Sequence, residues 1–200
     1  MTYVLLATGF TGAWTLFFFW RALRRRFGHL FSVAVFFSPK GGCTEAVVAE
    51  IKRARREILV LAYSFTSRPI AEALVEAKKR GVHVDIILDR SQEKEAYSEL
   101  PVIEQHGLFP HIDAHHAIAH NKVMIIDKRT LITGSFNFTH QAEVENGENL
   151  LVIKGHGELL TQYRQNFTVH KAHSQAPAPK AVQAPAQKAV APLAAHPKAA

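Results

Sequence analysis

Two hundred residues with 48% hydrophobic content are ordinary for a globular chain, and they allow one domain with a real core plus short extensions. The single cysteine, Cys43, excludes an intrachain disulfide and a cysteine-built zinc site; it reads as a small residue ahead of a helix. The formal charge of +7 misdescribes the centre of the chain, because from Thr44 to His170 15 Lys and Arg oppose all 17 Asp and Glu, so overall basicity supports no nucleic-acid reading of that part.

The chain opens on an uncharged run, Tyr3 to Trp20, "YVLLATGFTGAWTLFFFW". As a helix its 18 residues span about 27 Å, close to a bilayer's hydrocarbon core. "RALRRRFGH" comes directly after it, whereas a secretory signal carries its positive charge before the apolar run. That order predicts one retained N-terminal transmembrane helix, with the remainder cytoplasmic, at the inner membrane if the cell is bacterial. The rival is a cleaved signal ending near Ser32-Val33-Ala34, which would make the protein periplasmic or secreted. The division that follows is residues 1–28 as membrane anchor and basic flank, 29–171 as folded catalytic domain, and 172–200 as tail. The tail is rich in Ala, Pro and Lys and poor in large apolar residues, which predicts disorder.

The middle of the chain alternates helical and strand patterns. Val47, Val48, Ile51 and Ala54 give a helix over 44–56. Residues 57–65, "EILVLAYSF", read as a buried strand. Ser67 and Pro69 start a helix that Gly81 ends, placing it near 69–80. "VHVDIILD" is a strand ending at Asp89, and a short helical region runs on to His106 and Gly107. Strands are expected near 117–127 and 130–135, joined by "KR", then near 149–153, with a final helix over about 157–171. The pattern predicts an α/β fold, a mixed β-sheet with helices packed on it.

Within "AHNKVMIIDKRTLITGSFNFT", residues 119–139, alternate strand positions share a face. His120 and Lys122 therefore project together, with Ile118 and Met124 as their apolar surround. Ser135 and Asn137 are again two apart, beside Gly134, which permits close approach. If the strands pair as a hairpin, the four converge as a nucleophile or base, a fixed cation and two neutral hydrogen-bond donors. Such a set suits a phosphate oxyanion with no metal. His106, His111, His115, His116 and His120 crowd one segment. They read as a polar loop leading into the strand, with His115 or His116 near substrate, and neither metal nor cofactor is expected.

"HNKVMIID" and "GSFNFT" resemble the H-x-K-x4-D motif of the phospholipase D superfamily and the G-S-x-N segment that follows it. The resemblance is closest to the small single-motif bacterial endonucleases of that superfamily and covers about Val35 to Thr168. It implies a phospholipase D-like fold, with His120 attacking phosphorus to form a phosphohistidine. Lys122 and Asn137 hold non-bridging phosphate oxygens with help from Ser135. Glu148, in "NGENL", orients the histidine through its other ring nitrogen, a role with a physical basis in tautomer fixing and imidazolium stabilisation. Asp127 belongs to the motif, and its role in the family is more often structural than catalytic.

The chemistry needs a second histidine to protonate the leaving oxygen and later activate water. The chain carries one copy of the motif, so the resemblance implies a homodimer that brings two His120 side chains together. The leading expectation is thus a membrane-tethered, metal-independent phosphodiesterase, an endonuclease cleaving DNA or RNA. The alternative is a phospholipase acting on an anionic lipid such as cardiolipin. A third, non-catalytic tethering role sits poorly with an intact His120, Lys122, Asn137 and Glu148 set. Arg53, Arg55, Arg56, Lys78, Lys79 and Arg80 read as helix surface more than as a basic groove.

Overall fold

The computed structural model describes residues 31–176 together with Trp14, Phe17, Phe18, Phe19 and Arg21. Seven strands form one mixed sheet: β1 (Ser32–Phe37), β2 (Glu57–Ala62), β3 (His83–Asp89), β4 (His111–Asp113), β5 (Lys122–Ile126), β6 (Thr130–Gly134) and β7 (Asn149–Lys154). Among residues 31–176 five α-helices accompany them, α1 (Cys43–Arg53), α2 (Arg68–Lys79), α3 (Leu100–Gln105), α4 (His140–Val144) and α5 (Gly157–His173), with a 3-10 turn at Arg90–Glu93. The strand order is β1-β7-β6-β5-β2-β3-β4, with β2, β3 and β4 parallel and the other neighbours antiparallel.

Local sequence explains most of these elements. Pro69 lies in the first turn of α2 after Ser67, and Gly81 leaves it at φ 86°. The Glu143 carboxylate accepts the Gly42 and Thr44 N–H groups at the start of α1, replacing a side-chain cap from the helix's own end. The apolar runs of β2 and β3 are buried on both faces, as parallel strands between two layers must be. One face, with Val60, Ala62, Met124, Ile132, Leu150 and Val152, packs under α1 and α2. The other, with Leu59, Leu61, Val123, Ile125 and Leu131, is covered by Leu160 and Phe167 of α5. That cover stops short of β1, where Val33, Val35 and Phe37 stay 52%, 50% and 62% exposed.

The hairpin of β5 and β6 forms in the expected place, turning through Asp127 and Lys128, both at positive φ. Three elements were not anticipated: β1, β4 and α4. A further correction concerns β5, which begins at Lys122 and not near residue 117. Ahead of it the chain leaves the ladder because the Asp89 carboxylate captures the Ala119 N–H. Ile118 is consequently 60% exposed while Met124 is fully buried in the core, so the two do not form a common surround for the site.

Of the N-terminal apolar run, Trp14 and Phe17 to Phe19 are helical and 48–65% exposed. The rest of the expected anchor, and the tail beyond residue 176, lie outside the described residues. Among the described residues no helix is long and apolar enough to cross a membrane.

Candidate active site

The carboxyl ends of β2 and β3 meet the amino end of β5 on one edge of the sheet, where Ala62 is in register with both Leu88 and Lys122. Such an edge is the usual place for a ligand in a sheet with parallel strands. The segment carrying His120 is fastened there from two sides. Tyr63 N–H donates to the Asn121 carbonyl at 2.8 Å. On the other side Asp89, 2% exposed, accepts Ala119 N–H at 2.7 Å and Ser91 N–H at 2.9 Å. Burial alone would raise the pKa of Asp89; the Ala119 and Ser91 hydrogen bonds overcome it and hold the carboxyl below its ordinary range. Gln92 ties the chain after β2 to the turn after β3 by accepting Phe65 N–H at 3.0 Å.

His120 and Lys122 meet on one tyrosine. The His120 ring lies 4.5 Å from the Tyr63 ring, and Lys122 Nζ sits 5.0 Å from the same ring centroid. Lys122 is only 7% exposed, and its ammonium donates to the His120 carbonyl at 3.2 Å. Burial pushes its pKa below the ordinary lysine value, and the charge of Glu148 opposes that shift. An ammonium held this way has few protein acceptors, which leaves its remaining donors for a ligand.

The other wall comes from the end of β6 and the start of β7. Ser135 Oγ accepts Asn149 N–H at 3.0 Å and Asn149 Nδ2 at 3.2 Å. The Asn149 carbonyl accepts both Ser135 N–H and Phe136 N–H at 3.1 Å. This close approach needs Gly134: at φ 148° a Cβ there would lie 2.3 Å from the Asn149 carbonyl oxygen. Asn137 Oδ1 is buried with no hydrogen-bond partner among the described residues. Such an orphan acceptor costs about 1–3 kcal/mol; toward a phosphate oxygen it is the Nδ2 group of Asn137 that can donate. Glu148 receives Asn146 Nδ2 at 3.3 Å, and its own N–H donates to Ser38 Oγ at 3.2 Å. Its carboxylate acts on Lys122 electrostatically and makes no hydrogen bond to His120 within the chain.

Asp127 stands apart from these residues. It follows the far end of β5, about 17 Å along the strand from Lys122. Its carboxylate accepts the N–H groups of Arg55, Arg56 and Glu57 at 2.9, 2.7 and 3.0 Å. The geometry thus removes Asp127 from the pocket and makes it a clamp between the hairpin turn and the start of β2. Residues that sequence reasoning missed are Tyr63, Asp89, Gln92 and Asn149. An acidic residue closing an apolar strand was the available cue for Asp89; nothing local marked the others.

The histidine-rich segment does not converge by itself. His106 Nδ1 faces the Val102 carbonyl at 2.8 Å, and His111 lies 4.0 Å from Asp85. His116 instead meets Asp113 together with His170 and His173 of α5, so a group able to ligate a metal exists where none was expected.

A paired histidine and lysine, with neutral amide and hydroxyl groups on the neighbouring strand end, is the donor and nucleophile set of a mixed α/β phosphodiesterase. Comparison with known proteins supplies the family. Residues 47–171 match the family model described as "Cardiolipin synthase, PLD-like domain". A phospholipase D from Rickettsia bellii is 43% identical over 142 residues, which is 71% of this chain and 70% of that protein. A mitochondrial cardiolipin hydrolase from Chlamydomonas reinhardtii is 33% identical over 57% of this chain and 51% of its own length. The crystal structure of Nuc, a phospholipase D family member from Salmonella typhimurium, superposes with a TM-score of 0.70 at 36% identity, covering 73% of this chain and 97% of that one. The chain belongs to the phospholipase D superfamily, and it is a phosphodiesterase hydrolase of that type.

Proposed function

We propose that the chain is a metal-independent endonuclease that cleaves DNA or RNA through a phosphohistidine, in a site completed by a second copy of itself. The observation that carries this reading is the pairing of exposed His120 with buried Lys122 on the Tyr63 ring. A ring nitrogen of His120 attacks phosphorus while Lys122 and Asn137 hold the non-bridging oxygens. The P–O bond to the leaving oxygen breaks, and His120 of the partner subunit gives that oxygen its proton. The same imidazole then takes a proton from water, whose oxygen attacks phosphorus and releases His120. Ser135 orders the loop through Asn149, and Glu148 balances the charge of Lys122.

Two features support assembly. The chain has one motif and the reaction needs two imidazoles. The exposed apolar stripe of Val33, Val35 and Phe37 runs toward Ser38, whose hydroxyl holds the Glu148 backbone. The proposal keeps the N-terminal apolar run as a membrane anchor, with the basic "RALRRRFGH" after it favouring a cytoplasmic site.

A second reading, a phospholipase acting on cardiolipin or a similar anionic lipid, is favoured by the 33% identity to a cardiolipin hydrolase and by the same anchor. The deciding experiment presents the full chain in detergent with labelled single-stranded DNA, RNA and cardiolipin, during a brief EDTA challenge, beside His120→Ala. Nucleic-acid cleavage that disappears in His120→Ala supports the endonuclease. Hydrolysis of cardiolipin alone, again lost in the variant, replaces it with the phospholipase.

A further inference from the structure

We propose that Asp113, His116, His170 and His173 form a structural site for a divalent transition metal, zinc being the best match. The donor atoms of the four all lie within 4.8 Å of one another. Asp113 Oδ2 is 2.7 Å from His170 Nδ1, 3.1 Å from His116 Nδ1 and 3.3 Å from His173 Nε2. Four donors about 2.0–2.1 Å from a tetrahedral zinc stand about 3.3 Å from each other; the three Asp113–histidine distances already lie at or below that spacing, and the imidazoles close on the ion from within 4.8 Å of one another.

Hydrogen bonding alone accounts poorly for this arrangement. Three ring nitrogens lie within 3.3 Å of Asp113 Oδ2, which has two in-plane lone pairs, and one of them, His116 Nδ1, is shared with Oδ1 at 3.3 Å. The other oxygen is already engaged by the His115 and His116 N–H groups at 3.1 and 3.4 Å. Those two backbone donors are what a metal-ligating carboxylate requires to keep its orientation. The Asp113 side chain is fully buried, and the side chains of His170, His173 and His116 are 11%, 22% and 42% exposed. One carboxylate and three imidazoles gathered at one spot are the donor set that a borderline divalent ion ligates. Imidazole with one carboxylate suits zinc, copper or nickel more than magnesium or calcium.

The placement suggests what the ion does. Asp113 ends β4, the edge strand, and His116 opens the loop that leads to His120. His170 and His173 are one turn apart on α5, and just beyond them Gln175 pairs by its backbone with Ile112 of β4. A metal here fastens the last helix to the sheet edge and to the root of the His120 loop. The site lies three strands from Lys122, about 14 Å across the sheet, so it is separate from the phosphate pocket. With four protein donors it has the closed character of a structural centre.

The test measures metal directly and does not depend on the substrate assignment. The full chain, purified in detergent and dialysed against metal-free buffer, is assayed for metal content by mass spectrometry. Zinc titrations are then followed by the thermal midpoint, and Co2+ loading by its visible spectrum. The expected result is about one zinc per chain, a rise in Tm with Zn2+, and the intense bands of tetrahedral Co2+. His173→Ala and the more exposed His116→Ala, each checked for folding by circular dichroism, should weaken zinc binding by about tenfold or more and lose the Tm response. Fewer than about one metal per ten chains with no Tm response to Zn2+ overturns the proposal, as does equal metal retention in both folded variants.

Discussion

The rings of Tyr63 and His120 lie 4.5 Å apart, tilted by 57°, and the Lys122 ammonium sits over the same tyrosine. The aromatic face thus sets the position of the histidine and steadies the charge of the lysine at once. A cation over an aromatic ring contributes about 0.5–2 kcal/mol, more when desolvated. Tyr63→Ala should therefore lower kcat/KM by about tenfold, while Tyr63→Phe, which keeps the ring, should stay within about twofold. Steady-state kinetics on whichever phosphodiester the protein cleaves decides this; equal losses in both variants would assign the effect to the hydroxyl.

Lys122 places stability and function in opposition. Burial lowers its pKa from the ordinary 10.5, with Glu148 pulling the other way. Between the native value and 10.5 the unfolded chain binds more protons than the folded one, so stability rises with pH across that window. Activity should fall over the same window as the phosphate-holding charge is lost, giving an alkaline limb below that of a free lysine. Lys122→Met should remove the pH-linked stability change and raise stability by about 1 kcal/mol, yet cut kcat by about 100-fold or more. Denaturant melts and rate profiles on the same samples, from neutral to alkaline pH, separate the two effects.

Asp127 tests whether a motif residue acts through the fold. Its carboxylate is held below its ordinary 3.8: burial would raise it, but the N–H groups of Glu57, Arg55 and Arg56 prevail. The stabilisation is therefore present above 3.8 and is lost as pH falls through the lower native value. Asp127→Ala should cost about 2–3 kcal/mol, and Asp127→Asn less, because Asn tolerates the positive φ and keeps an acceptor. Rates per folded molecule should change less than about threefold. A loss of turnover without a loss of stability would return Asp127 to the chemistry.

How much of this was legible in the sequence follows the range of the interactions. The β5–β6 hairpin is local, and alternation plus a short turn sufficed to place it. His120 and Lys122 were legible as a pair because two residues share a face. Their joint dependence on Tyr63 was not, since it arises from pairing of β2 with β5 across some 60 positions. Strand β1 carries no clear period because all but one of its positions are exposed. Strand β4 has three residues, too few to show one. The histidine-rich segment looked unproductive because its partners, His170 and His173, arrive from the last helix. Expecting Ile118 beside Met124 failed because Asp89, a buried acceptor, draws the chain out of the ladder at Ala119.

Gly134 should prove as sensitive as any charged residue in the pocket. A methyl group there meets the Asn149 carbonyl at 2.3 Å, and the residue sits at φ 148°. That carbonyl also receives two N–H groups from the Ser135–Phe136 segment, so it cannot move without breaking them. Gly134→Ala should destabilise the protein by about 2 kcal/mol or more and displace Ser135. The same change at Gly147, whose added Cβ meets nothing within 4 Å, should be nearly neutral. Thermal melts of the pair provide the comparison.

A site shared between two copies has a signature that no single-chain site can imitate. If each cleavage uses His120 of both protomers, a dimer of one intact and one His120→Ala chain is inactive. Co-expression with a fivefold excess of His120→Ala, carried on a second tag and purified through both tags, should yield mixed dimers with activity at background. Random mixing at equal amounts should leave about one quarter of the activity, the fraction of dimers with two intact chains. A site complete within one chain would leave one half. The exposed stripe on β1 offers the complementary route: Val35→Glu places a charge at the centre of a face that is half exposed in the single chain. It should shift the protein to monomer in sedimentation, leave its fold and melting point nearly unchanged, and abolish turnover. Monomers that still cleave would sink the shared site, and with it the role given to the second histidine.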